Sequence, residues 1–68
     1  MTAEQFEALA ELLRMRGGAS QEAARLVLVD GVAPAEAARR VRIQPQAVNN
    51  ALNSCQRGIA LARTAAGL

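Results

Sequence analysis

Histidine, tryptophan and tyrosine are missing from this sequence, cysteine and phenylalanine occur once each, and every basic residue is arginine. Each absence removes a class of chemistry. Without histidine and with Cys55 alone, a Cys/His metal site cannot be assembled and no internal disulfide can form. The carboxylates are scattered, and no nucleophile lies beside a base, so nothing suggests acid-base or covalent catalysis. The expectation is a protein that is not an enzyme, with no metal, cofactor or small-molecule substrate. No apolar run approaches the ~20 residues that cross a bilayer, and no charged-then-apolar leader opens the chain, so a cytoplasmic protein without a membrane partner is expected.

What is present is aliphatic. Half of the 68 residues are hydrophobic (51%), with Phe6 as the single aromatic. A core made of Ala, Leu, Val and Ile suits closely packed short helices better than a sheet. Sixty-eight residues make one domain near the lower size limit for folding on a single core, which favours association with a second copy. The net charge of +2 is unevenly spread. Residues 1–30 carry three arginines against five acids, whereas residues 31–68 carry five arginines against Glu36 alone. An excess of arginine confined to one half is the pattern expected of a surface that meets phosphates.

The basic half contains the most informative stretch, Pro34 to Leu52, PAEAARRVRIQPQAVNNAL. It reads as two short helices joined by a tight turn, a helix-turn-helix spanning about residues 34–55. Ala38 takes the small-residue position where the two helices cross. Val41 and Ile43 flank the turn, and Val48 and Ala51 face inward from the second helix. Pro34 suits the first turn of one helix and Pro45, after Gln44, the first turn of the next. Arg42 falls in the turn, where many such units place glycine for a positive φ, at a cost of about 1 kcal/mol.

The outer face of the second helix collects Gln46, Asn49, Asn50, Asn53 and Arg57 in one stripe with Asn50 at its middle. Asparagine is a poor helix former, and a helix needing only solubility would carry Glu or Lys. Amide side chains pair with adenine N6 and N7 in the major groove. The candidate base contacts are Gln44, Gln46, Asn49, Asn50 and Asn53. The candidate phosphate contacts are Arg39, Arg40, Arg42 and Arg57.

Elsewhere the pattern is simpler. Thr2 and Gln5 form a capping box that starts a first helix, with Phe6, Leu9, Leu12 and Leu13 on its apolar face and an end near Met15 before Gly17-Gly18. Ser20 is the expected cap of a second helix running to Val29 and stopped by Asp30-Gly31; its apolar last turns place it at the centre of the core. Cys55 lies on the inner stripe and reads as a small buried residue. Gly58 either breaks or weakens the last helix. The Ala-rich tail with Leu61 and Leu68, about residues 56–68, is the expected dimerisation surface. The fold expected is therefore all-α, a small four- to five-helix single domain over residues 1–68 containing a helix-turn-helix.

The segment Ala24 to Leu52 resembles the helix-turn-helix of the TrfB/KorA-type repressors of bacterial plasmids. The likeness rests on Ala24-Arg25, Val27-Leu28-Val29-Asp30-Gly31, Ala35, Ala38, Ala47-Val48 and Ala51, with Thr2 and Gln5-Phe6 similar near the start. It implies a DNA-binding global regulator acting as a homodimer on palindromic operators of plasmid maintenance or transfer genes. It also implies base reading by the start of the recognition helix, here Gln44-Pro45, and by an amide at Asn50. Pro45 replaces a basic residue that members use on a base. The competing function is a helical adaptor binding a protein partner through the same amide face, although the stripe carries none of the Leu, Met or aromatic anchors such a surface uses.

Overall fold

The computed structural model describes residues 1–67, and among them there are four helices and no strand. These are α1 (Ala3–Leu12), α2 (Ala19–Leu28), α3 (Pro34–Val41) and α4 (Pro45–Ala66). The fold is all-α. Leu68, part of the tail expected to dimerise, lies outside the described residues.

The core divides in two, and α2 joins the halves. Phe6, Leu9 and Ala10 of α1 bury against Ala24, Ala51 and Cys55. Ala37 and Ala38 of α3 bury against Ala23 and Val48. Ala23 and Ala24 are adjacent in sequence and both inaccessible to solvent. Neighbouring helical residues point about 100° apart, so each alanine serves a different cluster. The larger residues at the end of α2, Leu26 to Leu28, and its C-cap Val29 are only half-buried, and they pack against one cluster or the other. Leu52 packs against both clusters from α4.

Two helix boundaries and the exposure of Leu12 differ from the sequence-based expectations, and one open alternative is decided. The first helix ends at Leu12, earlier than Met15, because Arg14 turns left-handed at φ 55° and the Met15 N–H donates to the Ala10 carbonyl. Leu12, expected on the buried face, is 60% exposed. Helix α2 begins at Ala19 with Gly18 as its cap, and Ser20 caps nothing; the Gln21 side chain instead accepts from the Gly17 N–H at 2.7 Å. Of the four or five helices expected, four form among the described residues. Helix α4 continues through Gly58 for 22 residues, because Gly58 is buried where α4 passes Leu13. A Cβ at Gly58 would lie 2.7 Å from a Leu13 methyl, so this glycine permits close approach and does not interrupt the helix.

Arg42 behaves as the turn chemistry requires. It caps α3 at φ 60°, ψ 47°, and the Ile43 N–H reaches back to the Ala38 carbonyl at 3.0 Å, a helix-ending bond that needs this left-handed residue. A side chain there carries a steric cost that glycine avoids. Arg42→Gly should therefore raise stability by about 0.5–1 kcal/mol, seen as a higher urea midpoint with an unchanged slope. A lower midpoint would contradict the left-handed turn.

Candidate nucleic-acid interface

Helices α3 and α4 with the turn Arg42–Gln44 form a helix-turn-helix, and the buried residues explain its geometry. Ala37 and Ala38 present almost no side chain where α3 meets α2 and Val48, which lets the backbones approach. Val41 and Ile43, half-buried on either side of Arg42, close the wedge. Gln44 is the N-cap of α4 through its backbone alone, with no side-chain hydrogen bond, and Pro45 takes the first helical position. The start of α4 is open to solvent, with Gln44, Pro45 and Gln46 all exposed.

Every residue of the amide stripe is exposed: Gln46, Asn49, Asn50, Asn53 and Arg57. From Gln46 to Asn53 the stripe runs about 10 Å along the helix, and Arg57 lies about 6 Å further on. Its centre is not at Asn50, however. At 100° per residue Gln46 and Arg57 point most directly away from Val48 and Cys55, with Asn50 and Asn53 about 30° to either side of that direction, and Asn50 and Arg57 lie toward the connection between α1 and α2. There they border a groove of about 660 Å³ whose walls include Leu13, Met15, Ser20, Ser54 and Leu61. Gln46 Nε2 donates to Asn50 Oδ1 at 3.2 Å, so these two amides act as a pair.

The arginines divide into two kinds. Arg39 and Arg40 share one carboxylate: the Arg39 guanidinium pairs with Glu36 Oε2, and Arg40 Nε lies 3.4 Å from Glu36 Oε1. The Arg39 charge, followed by the Arg40 hydrogen bond, holds the Glu36 carboxyl below its usual range. Arg42 and Arg57 have no carboxylate within 4.0 Å among the described residues. Sequence reasoning placed Glu36 at the favourable end of the α3 dipole and missed its grip on two candidate phosphate contacts. The i,i+3 and i,i+4 spacing from Glu36 to Arg39 and Arg40 was the available signal. Ser54, which the sequence did not single out, and the 60% exposed Leu61, expected on the dimerisation surface, border the same groove as Asn50.

Among the described residues no group of His, Cys, Asp and Glu could hold a metal ion, and no helix is long and apolar enough to cross a membrane. Cys55 is buried in the core, and burial pushes its thiol pKa up. Such a thiol is a packing group. Comparison with protein-family models, curated proteins and solved structures found no match.

Proposed function

We propose that this chain is a sequence-specific DNA-binding repressor, a plasmid-encoded regulator of the TrfB/KorA type that acts in the bacterial cytoplasm as a homodimer on palindromic operators. The observation that carries the reading is the helix-turn-helix whose second helix exposes an unbroken row of amides between Arg42 and Arg57. Three asparagines on one exposed helix face disfavour the helix by several tenths of a kcal/mol each relative to alanine, which base reading would explain. In this reading Gln44, Gln46, Asn49, Asn50 and Asn53 enter the major groove. Arg39, Arg40, Arg42 and Arg57 flank it on phosphates, and the exposed start of α4 faces the backbone.

The adaptor reading gains one observation, the exposed Leu61 at the rim of the apolar-walled groove beside Asn50. The two readings part on sequence dependence. Selection from a randomised duplex pool supplies an operator, against which operator and scrambled affinities are compared at one salt concentration. Asn50→Ala removes a base-reading amide and releases Gln46 from its partner, so the specificity ratio should fall about 5- to 150-fold, the worth of one bidentate contact. Arg42→Ala should weaken both duplexes by similar factors. An unchanged ratio in Asn50→Ala would mean the reading face is elsewhere, and no enrichment from the pool would favour the adaptor.

A further inference from the structure

Counted along the chain, Arg14 and Arg16 belong to the acidic half. The fold brings them to the basic one. They lie in the connection between α1 and α2, on either side of Met15. Met15, with Leu13 and Ser20, lines the same groove as Asn50, Ser54 and Arg57 of α4. Residues adjacent in sequence have Cα atoms about 3.8 Å apart, so both arginines stand at the rim of the wall that faces the amide stripe.

Local structure decides what that rim offers. Leu13 and Met15 are half-buried and pack into the cluster around Phe6. Arg14, left-handed at φ 55°, and Arg16 alternate with them and are exposed, and Gly17 and Gly18 add no side chain. From residue 13 to residue 18 the exposed side chains are therefore two guanidinium groups. Neither has a carboxylate within 4.0 Å among the described residues, although Glu11 and Glu22 are near in sequence. Ala19 and Ser20, which follow, are exposed and small, so a second molecule can come close.

A helix with its side chains is about 10–12 Å across, and the major groove is about 12 Å wide. Sugar-phosphate walls therefore run along both flanks of a helix seated in it, and whatever stands beside the helix meets a wall. Beside α4, from Ala47 to Arg57, stands the α1–α2 connection. Arg42 instead precedes α4, some eight residues or ~12 Å along the axis from the middle of the stretch Ala47–Ser54. The two arginine groups are thus too far apart for one phosphate and about as far apart as the two walls of the groove. We infer that Arg14 and Arg16 form a second phosphate-binding surface: the α1–α2 connection contacts the DNA backbone along the flank of α4, while Arg39, Arg40 and Arg42 contact it at the start of that helix. This contact rests on the DNA reading of α4 and adds affinity without sequence information.

Binding of random duplex DNA between 50 and 200 mM salt tests the assignment, with helical circular dichroism confirming that each variant folds. The double variant Arg14→Ala/Arg16→Ala should have a salt slope shallower than wild type by about 1.8, so that the fourfold rise in salt weakens it about twelvefold less. At 50 mM it should lose affinity for operator and scrambled duplex by one common factor. Arg14→Lys/Arg16→Lys keeps both charges and should keep the wild-type slope. Arg16→Ala alone, at an exposed position, should lose about 0.9 of slope and serves if the double variant does not fold. Arg63→Ala, matched to it in charge but placed beside Ala8 and Leu12 on another side of α4, should lose none. Wild-type slopes in Arg16→Ala and in the double variant, with the wild type itself binding DNA in a salt-dependent way, would overturn the inference and leave the DNA reading standing. Equal losses in Arg16→Ala and Arg63→Ala would overturn it too, because net charge and not position would then set the affinity. A wild type that does not bind duplex DNA rejects the DNA reading and this contact together.

Discussion

Raising the salt concentration from 50 to 200 mM is expected to weaken the binding of random duplex DNA between about tenfold and about 150-fold per protomer, and by the square of that factor for a dimer. Each phosphate neutralised contributes about −0.9 to the slope of log affinity against log salt. Arg42 and Arg57, unpaired among the described residues, set a slope of at least about −1.8. If Arg39 and Arg40 leave Glu36 for phosphate, the slope approaches −3.6. Glu36→Gln removes the shared carboxylate and should move the slope toward the steeper value while strengthening binding to every sequence. Acid should act in the same sense. Because Glu36 has a lowered pKa, its ion pairs contribute stability above the unfolded-state pKa and lose it as pH falls through the folded value. That same fall frees both arginines. A salt slope shallower than about −1 would reject a phosphate-binding role for these arginines.

Phe6→Ala is expected to unfold the domain and abolish DNA binding from a position far in sequence from the amide stripe. Phe6 is the single aromatic residue and one of the largest fully buried side chains, packed with Leu9 and Ala10 against Ala24, Ala51 and Cys55. Truncating a buried phenylalanine costs about 3–5 kcal/mol. A folded unit of this size has roughly 3–10 kcal/mol in total, so the loss takes between about a third and all of it. The surrounding alanines cannot repack into the space, because they have no side chain to extend. Since α1 covers α4 beside Cys55, α4 would lose the support that aligns its outer face. A thermal melt within a few degrees of wild type would show that the α1 cluster contributes little and that α2, α3 and the start of α4 fold without it.

Much of the architecture was legible from local chemistry. Thr2 and Gln5 form the reciprocal cap their spacing implies, with hydrogen bonds of 3.1 and 2.9 Å. Pro34 and Pro45 open α3 and α4, and Arg42 takes the left-handed turn. Ala38, Val48, Ala51 and Cys55 face inward as the 3.6-residue period requires. These features depend on near neighbours in sequence. Other features do not. Local chemistry left open whether Gly58 breaks or only weakens the helix, glycine being a poor helix former, and Leu13, 45 positions earlier, decides it by occupying the space a side chain there would need. Leu12 belonged to the apolar pattern of α1, but it lies about 110° around the helix from the mean direction of the buried Phe6, Leu9 and Ala10, and it is exposed.

The sequence by itself determined the helical class, three of the four helix starts, the turn at Arg42 and the identity of the residues on the exposed face of α4. Caps, prolines, glycines and periodicity act within one or two turns of the backbone, so they can be read without knowing what lies across the core. Only the tertiary structure decided that Ala23 and Ala24 serve two different clusters and that α4 is continuous. It also placed Asn50 and Arg57 toward the α1–α2 connection and left Leu12 and Leu61 on opposite sides of α4. Those outcomes depend on the angles at which four helices meet, and such angles follow from side-chain volumes at crossings that join residues far apart in the chain.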